Sequence, residues 1–396
     1  MDSIDISAVR ADTPGCEHVI HLSNAGSSLP TSQALEAQID YLRLEASIGG
    51  YEAMAEAASN LDNFYTASGA LLNCSPHEVS FVSGASEAWW RAFLAVDVKP
   101  GDRVLVGSTE FQSAAFGLMQ ARHRGVIVDI IPNTSTGQVD VSALESMLDD
   151  SVKIVGLTQI AMSNGLINPA AQVGAVVAQS NALYLLDACQ AVGQMPVDVE
   201  DIKCDFLTAT GRKWMRGPRG TGILYVRDSI VGELVDPVFV DGRSALWDST
   251  NTYRPVTGSA RFELGEANHS GKVGLGVAID YALELGLGAI AHRVQSLAAQ
   301  MRTQLGTVPG VTVTDIGPDL CGIVTFTTDV LPATEVSSTL RQRGINTSSL
   351  GASNSRWMFE SMGVDEIVRA SPHYYNTEEE VNVFVRVLRE VLQGAS

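Results

Sequence analysis

Seven short runs dominated by Val, Ile and Leu recur between residues 78 and 227, at 78–82, 103–106, 126–131, 153–157, 183–186, 206–209 and 222–226. Polar or helix-periodic stretches separate them. Runs this short and this apolar read as strands buried on both faces. With helical crossovers between them they predict an α/β unit built on a largely parallel sheet covered by helices. After residue 265 the pattern changes. Helices are expected at 271–287 and 289–305, a break at 306–310, strands at 311–314 and 323–327, and helices at 333–343 and 377–393. This shorter α+β set predicts a second, smaller domain, and 396 residues are enough for both.

The formal net charge of −19 makes nucleic acid or an anionic membrane surface a poor partner. No run of 18 apolar residues is present, so no membrane span is expected. The first residues show neither a basic n-region nor an apolar h-region. Five scattered cysteines, Cys16, Cys74, Cys189, Cys204 and Cys321, lack metal-type spacing. Their odd number fits a reducing cytoplasm, and Cys189 and Cys204 read as plain core. No metal site is expected.

The chemistry centres on Lys213. The stretch 208–222 reads TATGRKWMRGPRGTG, and 184–190 reads YLLDACQ. A lone lysine is normally a solvated surface residue. Here an aspartate, Asp187, ends a strand upstream, and polar and basic neighbours flank the lysine. Pyridoxal phosphate needs this set: an amine for its aldehyde, an acid for its ring nitrogen, and donors for its phosphate. The string VSGASEAWW at 82–90 follows a strand and opens a helix near Ala85 and Ser86, whose free N–H groups suit an anion. Phe111 follows another strand and offers a flat ring. Arg369, within VRASPHYYNT, suits a carboxylate clamp. The GPRGTG after Lys213 precedes a strand, so it is not a dinucleotide fingerprint. Walker, HExxH and GxSxG motifs are missing from the sequence.

In this order these segments resemble the class V aminotransferase and cysteine desulfurase group of fold-type I pyridoxal phosphate enzymes, from about His21 to the C-terminal helix. The resemblance implies a large cofactor-binding domain over 20–264, and a smaller domain made of 265–396 with the segment 1–19. It implies that Lys213 forms the Schiff base, Asp187 pairs with the ring nitrogen and Gln190 reaches the phenolic oxygen. Ala85, Ser86, Thr210 and Arg212 would hold the phosphate, Phe111 would stack on the ring, and Arg369 would bind the substrate carboxylate. A homodimer with the site at the subunit interface and a small-molecule amino-acid substrate are also implied.

The departures narrow the reading. Phe111 stands where desulfurases carry a proton-transferring histidine. The stretch 345–369 contains no cysteine, only Ser348, Ser349, Ser353 and Ser355 as small nucleophiles. Met162 replaces a usual asparagine, and Gly265-Glu266 replaces the Gly-Thr that reaches the neighbouring subunit's phosphate; Asn268 or His269 could substitute. The strings SIGGYEA, GRKWMRGPRGTG, FELGEAN and SPHYYNT resemble the C–S lyase branch of ergothioneine biosynthesis, which cleaves hercynylcysteine sulfoxide. The same branch resembles lincosamide-pathway enzymes of cysteine S-conjugates and isopenicillin N epimerase. The expected activity is a C–S β-lyase that releases a thiol or sulfenate, pyruvate and ammonia. Transamination, epimerisation and decarboxylative oxidative deamination are the alternatives. Asn24, within the segment 21–29, Tyr51 and the neighbouring subunit near Glu266 are the candidates for the pocket around the sulfur substituent.

Overall fold

The computed structural model describes residues 4–395. The seven apolar runs form one sheet: β1 (Val79–Val82), β2 (Arg103–Val106), β3 (Ile127–Ile130), β4 (Val152–Thr158), β5 (Leu183–Asp187), β6 (Phe206–Thr210) and β7 (Gly222–Val226). Their spatial order is β1-β7-β6-β5-β4-β2-β3. Strands β2 to β6 pair in parallel, and β7 lies antiparallel to both β6 and β1. The sheet is therefore mostly parallel, as its apolar runs implied.

Successive side chains of a strand point to opposite faces, and here each face meets its own core. Leu105, Val155, Leu157, Leu186, Leu207 and Ile223 pack into one cluster. Val104, Val106, Ile154, Leu185, Phe206 and Leu224 pack into the other. Each such buried side chain contributes about 1.5–3 kcal/mol relative to exposure. Strands β1 and β3 form the two edges, and β1 is buried along its length while β3 is not. There Ile127 and Ile130 are exposed, and the strand is shorter than its apolar run at 126–131.

The second unit is an antiparallel sheet of β8 (Val311–Val313), β9 (Val324–Thr328), β10 (Ser348–Gly351) and β11 (Glu366–Ala370), in the order β8-β9-β11-β10. Helices Leu287–Leu305, Ala333–Gln342 and Glu378–Ala395 supply its core. The expected boundary near Gly265 falls ahead of helix His269–Leu285. That helix packs on helices Ser32–Ile48 and Ala58–Leu72 and buries Leu275 and Ile279 in the large core. The smaller core begins only at Leu297. The early part of the chain also joins this unit, through a separate two-stranded pairing and an isolated bridge. Ile20–His21 pairs in parallel with Ile345–Asn346, Ser23 bridges to Ser371, and Leu22 is fully buried in this core.

Candidate active site

The carboxyl ends of β2, β4, β5 and β6 face one crevice, where ligands of open α/β sheets gather. Strand β5 ends on Asp187, β4 on Thr158 and β6 on Thr210. Between β6 and the antiparallel β7 the chain makes a tight loop that carries Lys213. Gly211 N–H donates to Thr221 O at 2.9 Å, and Gly217 N–H to Gly211 O at 2.8 Å. Gly222 lets the loop's far end pass close to the start of helix Ala85–Ala95, since a Cβ there would stand 2.7 Å from the Gly84 Cα. Gly193, at φ +93°, presses against the Trp214 and Met215 backbone, where a Cβ would stand 2.5 Å from the Trp214 carbonyl carbon.

Three further contacts fix the loop. Trp214 Nε1 donates to Gln190 Oε1 at 2.8 Å, and His373 Nε2 meets Trp214 O at 3.0 Å. The Arg216 guanidinium lies over the Tyr374 and Tyr375 rings, and it donates to Leu29 O, Tyr374 Oη and Thr13 Oγ1. Two of the strings that carried the family resemblance, GRKWMRGPRGTG and SPHYYNT, thus pack on one another. Lys213 is left half-buried, its Nζ donating to Cys189 Sγ at 3.2 Å.

Lys213 and Asp187 line one cavity of about 260 Å³. Ala85, Ser86, Phe111, Gln190, Thr210 and Arg212 line it too. Ala85 and Ser86 open helix Ala85–Ala95, whose N-terminus has no side-chain cap. Its first-turn N–H groups are thereby left for an anion. Gln190 Nε2 donates to Ala25 O at 3.1 Å, so one amide hydrogen remains after its bond to Ala25. Asp187 accepts the Cys189 N–H at 2.8 Å. Burial pushes its pKa up, while that N–H and the charge of Lys213 pull it back.

Arg369, on β11, stands behind Met162 of the cavity wall and donates to Met162 O at 3.3 Å. It is 5% exposed, and its Nε has no hydrogen-bond partner among the described residues. Burial, with Arg212 adding to it, pushes its pKa down to about 10. Burial likewise lowers Arg212, which donates to Gly26 O. Among the described residues neither arginine forms a salt bridge. A half-buried Arg212 and a buried Arg369 without acidic partners among the described residues, with the bare helix N-terminus lining the cavity, suit anionic groups from a ligand. With the amine of Lys213 and the acid of Asp187 in the same cavity, the residues present fit pyridoxal phosphate and an amino-acid carboxylate.

The structure parts from the sequence reading at three residues. Asn24 is fully buried and lines no part of this cavity. Its Nδ2 donates to His21 O and Ser371 O, and its Oδ1 accepts from Tyr375 Oη at 2.5 Å, so its amide braces the backbone. Tyr51 is 86% exposed on helix Gly50–Glu56, away from the cavity of its own chain. Cys189, read as plain core, lines the cavity because the chain turns out of the sheet after Asp187; Cys204 is core as expected.

One residue was passed over as a landmark. Glu110 is 2% exposed and accepts the Thr158 N–H at 2.9 Å, and Thr158 pairs across the sheet with Asp187. Burial, helped by the charge of Asp187, pushes the Glu110 pKa up to about 8. An ionisable residue between a strand end and a helix start was the available signal.

The aminotransferase class-V family matches residues 20–384, and the chain belongs to that family. It is a pyridoxal phosphate enzyme. A cysteine desulfurase of Enterobacter sp. (strain 638) is 30% identical, with 98% of each chain covered. The apo structure of a cysteine desulfurase from Thermococcus onnurineus NA1 superposes with a TM-score of 0.91 at 27% identity over the whole of both chains. The chain shares its fold with the cystine C–S lyase C-DES, solved with its product cysteine persulfide, at a TM-score of 0.85 and 21% identity over 96% of this chain and 99% of that one.

Proposed function

We propose that this enzyme is a C–S β-lyase acting on a cysteine S-conjugate or its sulfoxide. The relatives named desulfurases support cleavage of a carbon–sulfur bond. The observation that carries the finer reading is the make-up of 345–369. That stretch forms β10, helix Arg356–Met362 and β11, and it holds no cysteine to receive sulfur. Of its serines, Ser348 meets Ser23 Oγ and Ser355 donates to Glu110 O. Sulfur therefore leaves with its own substituent.

In this reading Arg369 holds the substrate carboxylate through a two-donor fork and so orients the Cα–H bond. Lys213 takes the Cα proton as general base. Phe111 cannot shuttle protons, so no second base stands at that position. Asp187 keeps the ring nitrogen protonated. Pyridoxal phosphate, when bound, supplies the electron sink for charge forming at Cα. The Cβ–S bond then breaks with its electron pair on sulfur. Water completes release of pyruvate and ammonia beside the thiol or sulfenate. A sulfoxide leaves more readily than an alkyl thiolate. Hercynylcysteine sulfoxide, suggested by the four local strings, is accordingly the first substrate to test.

The enzyme is further proposed to work as a homodimer in the cytoplasm, with no nucleic acid or membrane as partner. The exposure of Tyr51, Trp247, Phe239 and Val238 supports a second copy as the cover for apolar surface. One observation favours desulfuration instead: Cys189 lies in the cavity beside Lys213. Incubation with hercynylcysteine sulfoxide, simpler cysteine conjugates and L-cysteine separates the readings. Pyruvate with thiol or sulfenate from the conjugates supports the lyase. Alanine from L-cysteine, with sulfane sulfur that added dithiothreitol releases as sulfide, lost in Cys189→Ala, would establish the desulfurase. A keto acid that retains its sulfur would point to transamination or deamination.

A further inference from the structure

Only five of the chain's 26 basic residues are lysines: Lys99, Lys153, Lys203, Lys213 and Lys272. Arginine stays charged wherever it is placed, whereas lysine releases its proton when buried. Lys99 and Lys203 are exposed and Lys153 is half-buried, but Lys272 is 7% exposed. It sits in the first turn of helix His269–Leu285, where the helix dipole already disfavours a cation. It lines a second cavity of about 210 Å³, which shares no lining residue with the first.

The surroundings of Lys272 form a relay. Nζ lies 4.0 Å from the centre of the Tyr65 ring, with Phe64 and Phe81 within 6 Å, and it donates to Tyr65 Oη. Tyr65 Oη in turn donates to both oxygens of Glu263, at 2.7 and 2.8 Å. Glu263 is held by the Phe81 N–H at 2.7 Å and by Arg243. This is the first of the two glutamates in the FELGEAN string, and the first cavity leaves it without a role. His269 Nδ1, on the same cavity, has no hydrogen-bond partner among the described residues. Burial lowers the Lys272 pKa to about 8; Arg243 adds to the effect, while Glu263 and Asp62 oppose it.

We propose that Lys272 is a second reactive amine, which condenses with a small carbonyl compound, an aldehyde or α-keto acid, admitted by this cavity. The ammonium proton passes through the Tyr65 phenol toward the Glu263 carboxylate. The free amine adds to the carbonyl carbon and forms a C–N bond. The carbonyl oxygen then leaves as water, giving an imine. No oxidant or reductant is consumed.

The test uses the holoenzyme, in which the cofactor occupies Lys213. Glyoxylate and sodium cyanoborohydride are added at pH 7.5, and carboxymethylated lysines are mapped by peptide mass spectrometry over time. An amine that titrates near 8 is roughly a hundredfold richer in free base at this pH than an ordinary lysine. The adduct at Lys272 should form at least about tenfold faster than at Lys99 or Lys203, only with reductant present. Tyr65→Phe should slow it toward the surface rate. Modification of Lys272 no faster than the surface lysines overturns the proposal. Undiminished labelling in Tyr65→Phe overturns the relay.

Discussion

Replacing Arg369 by Leu should make the ligand-free protein more stable and the enzyme far worse. The arginine is 5% exposed, with Nε unpartnered among the described residues and one bond of 3.3 Å to Met162 O. Burial chiefly, with Arg212 adding to it, lowers its pKa from the usual arginine range to about 10. That fall corresponds to roughly 3 kcal/mol against the charged form. Leucine removes this penalty, while the lost bond costs about 1 kcal/mol. A net gain of about 1–3 kcal/mol follows, seen as a rise of a few degrees in Tm. Because the folded pKa is the lower one, the penalty is complete below it and fades only above pH 10. The gain should therefore be flat from pH 6 to 9. Catalysis should move the other way. Removing the partner of a buried carboxylate costs about 2–5 kcal/mol, or a roughly 30- to 5000-fold fall in kcat/KM. Thermal melts of wild type and variant, with and without substrate, run beside steady-state kinetics. A variant that melts lower yet keeps its kcat/KM would show a structural arginine and refute the argument.

Lys213→Ala should abolish turnover and the visible absorbance of the lysine-linked cofactor; a variant that turns over normally without added amine removes Lys213 from its role. Glu110→Gln should gain stability over wild type as pH rises from about 4.5 to 8 and then hold it. Over that window the unfolded glutamate ionises while burial keeps the folded one protonated. A pH-independent difference in Tm would count against a neutral Glu110. Gly193→Ala should lower stability by about 1–3 kcal/mol and weaken cofactor binding, since the new Cβ meets the backbone behind Lys213 at 2.5 Å in a left-handed conformation. Wild-type melting and cofactor loading would show that the loop relaxes freely.

The parts of this enzyme that could be read from sequence are those whose information is local. Strand β6 and Lys213 lie within a few residues of each other, as do β5 and Asp187, so hydrophobic run-lengths and strand-end residues were enough. Asn24 carries no such local signal. Its role is set by Ser371, 347 residues away, and by the Tyr375 hydroxyl. Tyr51 has an aromatic ring but no neighbours in its own chain to bury it. Cys189 has core-like neighbours, and only the turn of the chain after Asp187 brings its sulfur against Lys213. Glu110 and Lys272 look like ordinary charged residues; burial alone makes them chemically unusual, and burial is a property of the assembled fold.

The segment from Ile20 to Ser28 runs between the two units and touches both. Ile20–His21 pairs with Ile345–Asn346, Ala25 N–H donates to Ser371 Oγ, and Ser28 N–H donates to Arg212 O. On the ribosome this early segment lacks its full set of partners until the chain has grown past Ser371. At about 5–20 residues per second that wait lasts roughly 20–70 s. Throughout it, the Lys213 loop lacks one wall and Arg369 has not been made. A nascent chain can finish its large sheet before it can grip a cofactor, and the last strand to emerge closes the site that the first residues opened.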